Sequence, residues 1–359
     1  MVLILGLLLG LADLELAKLE HVRVSNDHKG FVTTTSGRPF TPWGLNYGNK
    51  GRLIEDFWES DWPTVVEDFR KIKAMGANVV RVHLQFGKFM GSADRPNPKA
   101  LEQLGKLLQL AETTGVYLDL TGLGCYRKAD IPPWYDALSE EARWSAQAKF
   151  WAAIATRCAK SPAVFCYDLM NEPMAAGGSK KPGDWLSGKP FGGYDFIQWI
   201  ALEEKGRTRP EIARLWIKHL SAAIREHDES HMITVGLLPW IPVWGHLSGF
   251  VPEIVAPELD FMSVHMYPEK GKVADAIAAI KYFQVGKPLV IEETFPLSCP
   301  AADLEEFINQ SRPIACGWMG HYDGSSIEQL EDLQSKKTIS IAQSIYLDFL
   351  KLLHRLSTK

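Results

Sequence analysis

The chain lacks any block of clustered Lys and Arg; 39 basic residues stand against 43 acidic ones, and the net charge is −4. A phosphate backbone would find no basic face here, so nucleic acid is not expected as a partner. The five cysteines (Cys125, Cys158, Cys166, Cys299 and Cys316) are an odd number with no C-x-x-C spacing, so neither a disulfide framework nor a zinc ribbon is indicated. Cys166 and Cys316 fall within expected strands and read as small buried apolar residues. No His-x-His occurs, which argues against a barrel metallohydrolase, and no metal site is expected. A doubly wound nucleotide fold would want a Gly-rich phosphate turn after its first strand, and Trp43-Gly44-Leu45-Asn46-Tyr47-Gly48 is not G-x-G-x-x-G. No segment is apolar for long enough to cross a bilayer. The run at residues 2–11 has the length of a signal-peptide core but no Lys or Arg before it. It reads more readily as a clipped signal peptide than as a first helix. A secreted or periplasmic protein is the expectation, with a cytoplasmic one left open. Linkers and low-complexity stretches are also missing, so residues 1–20 read as an N-terminal segment and 21–359 as one domain. A monomer is expected.

What is present is a core. With 359 residues, 46% hydrophobic and 23% charged, the chain can bury a large interior. Residues 21–35 alternate as a β-hairpin, a plausible plug across the bottom of a barrel. Strand-like and helix-like stretches then take turns. Strands are expected at 40–47, 78–84, 116–120, 164–170, 232–237, 259–267, 287–293 and 314–319. Helices are expected at 62–75, 98–113, 139–160, 209–227, 273–283, 302–310 and 339–356. Eight strands that mostly alternate with helices predict a parallel (β/α)8 TIM barrel with a long loop after strand four.

The chain is organised around Tyr167-Asp168-Leu169-Met170-Asn171-Glu172-Pro173. An apolar strand ends there in an acid, and Pro173 cannot donate to a ladder. Strand seven, Leu289-Val290-Ile291-Glu292-Glu293, ends the same way. In a barrel all C-terminal strand ends open on one face, so Asn46, Arg81, His83, Thr121, Asn171, Glu172, His265, Tyr267, Glu293, Trp318 and His321 converge. Two carboxylates there are what glycoside cleavage requires: a proton for the leaving oxygen, and a second group acting as nucleophile or as base for water. Successive strand side chains point to opposite sides, so only one of Glu292 and Glu293 is expected to aim at the cleft. The other should face the helices or the rim.

These residues resemble glycoside hydrolase family 5, the cellulase and mannanase family of barrel enzymes, over roughly residues 30–350. The resemblance rests on Asn171-Glu172-Pro173, on His265-Met266-Tyr267 in strand six, on Arg81 in strand two and on the strand-seven run ending at Glu293. It implies a retaining β-glycosidase acting on β-linked gluco- or manno-configured saccharides. Glu172 would be the acid/base, Glu293 the nucleophile and Asn171 the holder of the sugar 2-hydroxyl. Tyr267 and Arg81 would sit on Glu293. No cofactor is implied, because two carboxylates suffice. The chain departs from the family at Asp119-Leu120-Thr121, where Asp-x-His is frequent. It also departs at strand eight, where the expected tryptophan floor falls near His321 while Trp318 lies three residues earlier. Singly, His265 could be a core histidine, Tyr267 a rim aromatic and Arg81 the partner of a structural acid. The loop at 174–208 carries Trp185, Phe191, Tyr194 and Trp199, and its aromatics, Trp185 foremost, are expected to bind substrate. Trp134, Trp240 and Trp244 could stack on sugar or pack under loops. The rival readings are a carbohydrate-binding barrel without catalysis and a retaining glycosidase of another sugar specificity.

Overall fold

The computed structural model describes residues 18–176, 181–240 and 247–357. Eight parallel strands close into a barrel: β1 Trp43–Gly48, β2 Val79–Gln85, β3 Tyr117–Gly124, β4 Val164–Asn171, β5 Met232–Leu237, β6 Met262–His265, β7 Leu289–Glu293 and β8 Gly317–Asp323. Each pairs with its sequence neighbour, and β8 returns to β1. The strands are buried almost throughout, because each is packed on the barrel interior on one side and on helices on the other. The expected (β/α)8 barrel is the observed fold.

The outer layer consists of α1 Trp62–Ala74, α2 Pro98–Thr114, α3 Glu140–Cys158, α4 Arg209–Arg225, α5 Val273–Lys281, α6 Ala301–Ser311, α7 Ile327–Ser335 and α8 Ile341–Ser357. Their starts follow from local chemistry. Asn97 caps α2 and Ser139 caps α3. Thr208 with Glu211 forms a capping box on α4, and Ser326 with Gln329 another on α7. α7 has no counterpart among the expected helices. After β5 the described residues contribute Pro252–Val255 and the short turn Ala256–Glu258 to the helix layer.

The bottom is closed by Val22–Val24, Phe31–Thr33 and Pro39–Phe40, an antiparallel three-stranded sheet. Phe31 packs edge-on against Phe165 and Phe261, and Phe40 against Tyr117, so aromatic rings stopper the N-terminal end of the barrel. Residues 38–40, which precede β1, pair with this sheet rather than with the barrel. The open, C-terminal end is left for chemistry.

Two irregularities matter at that end. Between β6 and β7 the register slips: Val264 pairs with Ile291, but His265 pairs with Glu293, leaving Glu292 as an extra residue. Between β4 and β5 Thr234 pairs with Asp168 and Gly236 with Asn171, again one residue out of step. Bulges of this kind re-aim side chains.

Candidate active site

Arg81, on β2, is fully buried and its guanidinium is the hub of the barrel mouth. Nη1 donates to Asn46 Oδ1 at 2.8 Å and to Glu293 Oε1 at 2.5 Å. Nη2 donates to Asp168 Oδ2 at 2.7 Å and to Asn171 Oδ1 at 3.1 Å. A planar fork of donors is suited to holding several acceptors at fixed angles. Tyr267 donates its hydroxyl to the other Glu293 oxygen at 2.5 Å and meets His321 Nε2 at 3.0 Å. His265 Nδ1 lies 2.9 Å from Glu172 Oε1 and 3.6 Å from Glu293 Oε2. Carboxylate oxygens of Glu172 and Glu293 lie within 4.8 Å of each other.

Charge sorts these groups. Burial alone would raise Glu293, but His265, Arg81, His321 and His83 around it hold it well below the usual carboxylate range. Burial would likewise lower His265, yet Glu293, Glu172 and Glu292 outweigh it and lift the imidazole to about 10. Burial, aided by Glu293, pushes the Tyr267 hydroxyl well up, so it remains a donor. Glu293 is thus an ionised carboxylate held by one guanidinium and one phenol. Glu172 stands opposite with a histidine as its partner, and its backbone is left-handed, φ 46°. Its N–H donates to the Gly236 carbonyl of β5, which fixes it over the neighbouring strand.

Below this layer the barrel interior holds more charge. Glu292 accepts from Ser263 Oγ and sits 3.8 Å from Arg81 Nη2 and 3.6 Å from His265 Nε2. Asp119, on β3, meets Glu292 from the other side. Gly236 explains how so many groups fit: a Cβ there would lie 2.8 Å from His265 Nε2 and 2.9 Å from Arg81 Nη2, so only glycine leaves room. A separate hollow of about 490 Å³, bounded by Asn49, Arg52, Asp68, Lys71 and Asp332 between α1 and α7, shares no residue with this cluster.

A model of the family described as Cellulase (glycosyl hydrolase family 5) matches residues 35–332. The chain belongs to this family. It is 25% identical over 232 residues to mannan endo-1,4-beta-mannosidase A of Podospora anserina, covering 56% of this chain and 53% of that protein. Its identity to the protein of the same description from Emericella nidulans is 24% over 218 residues, covering 54% and 48%. The matches therefore span about half the length of these curated relatives. The fold is shared with an exo-beta-1,4-mannosidase from Opitutaceae bacterium strain TAV5 (TM-score 0.66, 17% identity, 93% of this chain and 63% of that one). It is also shared with an endo-1,4-beta-mannanase from Eisenia fetida (TM-score 0.62, 16% identity, 92% and 95%).

Within this family 5 barrel, Glu172, Glu293, Arg81, Asn171, His265, Tyr267 and His321 come together, and three expectations need correction. Glu292 does not face the helices or the rim: the bulge at β7 turns it into the barrel, under Glu293. Trp318 is not in the cleft. β8 begins at Gly317 and runs on to Asp323, so Trp318 lies at its lower end, packed on Trp43, with its indole N–H on Ser311 Oγ. Trp185 is not in the cleft either. It is 2% exposed, donates to the Asp136 carbonyl, lies under the Arg143 guanidinium and packs with Met174, Trp199 and Leu238. Trp134 packs on Phe86 and Tyr135, and Trp240 leans on the Trp185 cluster, while Trp244 lies outside the described residues. Asp119, Asp168, Tyr126 and Phe196 were not singled out from sequence. A lone acid inside an otherwise apolar strand, as in Tyr117-Leu118-Asp119-Leu120, is the mark that would have found the first two. Among the described residues, no helix is long and apolar enough to cross a membrane.

Proposed function

We propose that the protein is a retaining β-glycoside hydrolase acting on β-1,4-linked mannosides. The reading is carried by the carboxylate pair. Oxygens of Glu172 and Glu293 within 4.8 Å are in keeping with the close pair of retaining enzymes, whose carboxyl groups lie about 5–5.5 Å apart, rather than with the gap of about 6.5–9.5 Å where a water must fit between them. Glu293, ionised and held by Arg81 and Tyr267, attacks the anomeric carbon as Glu172 gives its proton to the departing glycosidic oxygen. Water then attacks the glycosyl ester, Glu172 takes back a proton, and Glu293 is released. Asn171, oriented by Arg81, offers its amide to the sugar 2-hydroxyl. Support for manno-configured sugar comes from the curated relatives, both mannan endo-1,4-beta-mannosidases. A barrel that only binds carbohydrate would be expected to lack one of the two acids. The apolar run at residues 2–11 supports work outside the cytoplasm.

The test is covalent trapping with a 2-fluoro-β-mannosyl fluoride, which forms the glycosyl ester and hydrolyses it slowly. The adduct is expected on the peptide containing Glu293, at that residue by fragmentation. An adduct on Glu292 would sink the assignment, and trapping only by the gluco-configured reagent would move the substrate to β-glucosides.

A further inference from the structure

Between β4 and α4, residues 181–199 form a strap across one side of the mouth. It is tied back to the chain leaving β4, Pro173–Met174 pairing in parallel with Gln198–Trp199. Its base is the Trp185 cluster, and Lys128 Nζ donates to the Gly183 carbonyl. The far part turns back on itself through the bridge between Phe191 and Tyr194, and the Asp195 carboxylate accepts from Ser187 Oγ and Gly188 N–H, both at 2.5 Å. The tip of that turn is exposed, Phe191 by 64%, but the chain that leaves it is tied down. Asp195 N–H donates to the Tyr126 carbonyl at 2.7 Å, Phe196 packs on Tyr126 with ring centres 5.2 Å apart, and Tyr194 stacks on Phe196. Arg127 lies over the Tyr194 ring, and the Tyr194 hydroxyl donates to the Gly51 carbonyl at 2.8 Å, beyond the end of β1.

The strap therefore runs from the end of β4, over β3 and β2, to the loop after β1. What it covers is buried: Tyr126 is 2% exposed, Gln85 5% and His83 7%. On the other side of the mouth Glu172, Tyr267, His321 and Phe295 remain partly exposed. The strap also reaches the site directly, because Asn171 Nδ2 donates to the Phe196 carbonyl at 3.1 Å. In the reading above Asn171 faces the 2-hydroxyl of the sugar being transferred, so Phe196 and Tyr194 stand where the next sugar on that side would lie.

We infer that the Tyr194–Phe196 strap closes the glycone side of the cleft, so that the enzyme takes the non-reducing end of a β-1,4-mannan chain and releases one mannose per water consumed. This rests on the proposed reaction. A polysaccharide threaded through the mouth would have to displace the Tyr194 to Gly51 bond and both stacked rings. A chain end needs room for only one sugar beside Asn171. Sugars on the leaving side stay free to extend past Glu172 toward the open half.

The test is the first product. β-1,4-Mannohexaose reduced with borohydride distinguishes its two ends. Free mannose and the reduced pentasaccharide are expected as the only early products, with no fall in the viscosity of a mannan solution. Internal fragments from the first time points, or release of mannitol, would overturn the inference. Should β-mannosides not be turned over while another aryl β-glycoside is, the substrate reading fails. The same end-labelled experiment with that sugar's hexasaccharide then decides the strap. In the wild-type background, Tyr194→Ala with Phe196→Ala is expected to raise the ratio of internal to terminal cleavage at least about tenfold. An unchanged ratio in a folded variant would overturn the role of the strap.

Discussion

The barrel holds two carboxyl pairs, one above the other, and they behave oppositely. Glu172 and Glu293 lie at the mouth, with side chains 13% and 10% exposed, and each has donors of its own: His265 for one, Arg81 and Tyr267 for the other. Asp119 and Glu292 lie beneath, wholly buried. Glu292 is held below its ordinary range because Arg81 and His265 overcome its burial, while Asp119 is driven well above it by burial and by the Glu292 charge. Neither Asp119 oxygen has an N–H or hydroxyl partner among the described residues. A proton on Asp119, shared with Glu292, satisfies both. Closeness of two acids is thus common to the pair proposed to react and to the pair beneath it. What separates them is separate donors and a path for substrate.

The comparison breaks first at Arg81, which touches both layers. Replacing it, as in Arg81→Met, would leave Asp168 buried without its counter-charge and Glu292 and Glu293 with His265 alone as theirs. Removing one partner of a buried ion pair costs about 3–5 kcal/mol, and domains have only about 5–15 kcal/mol in all. The variant is expected not to fold at neutral pH. A soluble protein with a wild-type circular dichroism spectrum and melting curve would show that the lower layer does not depend on this cation.

Glu172→Gln sharpens the upper half of the contrast. The amide can still meet His265, so the fold should hold, and activity on mannosides with poor leaving groups should fall about 10²–10⁴-fold. Aryl mannosides whose phenolate leaves unaided should lose far less in the first step, as measured by the burst of released phenol. Equal losses for both classes would remove Glu172 from the acid role.

The smallest effect is expected at the lower pair. Folding raises the pKa of Asp119, so the folded protein keeps a proton that the unfolded chain releases above about pH 4. Stability attributable to this group is therefore full at low pH and declines as pH rises. Asp168 adds to that decline between its ordinary value and about 7, the level to which burial and the Glu292 charge raise it despite Arg81. Asp119→Asn keeps a donor for Glu292 and has no proton to lose. Its melting temperature, followed by calorimetry from pH 5 to 9, should fall less steeply than that of the wild type, with a difference of less than about 1 kcal/mol at the acid end. Parallel curves would mean that no proton is held there.

Much of this was legible in the sequence because the barrel writes itself in a repeated pattern. Each strand is an apolar run, several helices have starts that their own residues cap, and the two acids proposed to react stand where apolar runs stop. The lower pair was not legible. Strict alternation assigns Glu292 to the outside, and only the slipped register between Val264 and His265 brings it in. β8 was placed early because its apolar stretch ends at Met319, whereas the pairing of His321 with Asn46 continues the strand through polar residues that the barrel buries. The strap was recognisable as long and aromatic, but which rings would face sugar was not. Trp185 is anchored by Arg143 and Asp136, partners far away in sequence, whereas Tyr194 and Phe196 reach the mouth.

The left-handed backbone of Glu172 has a consequence for how such a chain can change over time. A non-glycine residue in that conformation costs about 1–2 kcal/mol, and here it falls on the residue proposed to move the proton. Glycine at this position would relax the chain and silence the reaction. Of two inactive variants, Glu172→Gly should melt higher than Glu172→Ala, and the reverse order would mean that the turn is unstrained. Drift without selection for turnover would therefore run downhill, towards a firmer barrel that no longer cuts. The acid persists at the end of β4 only while its use outweighs the stability it withholds.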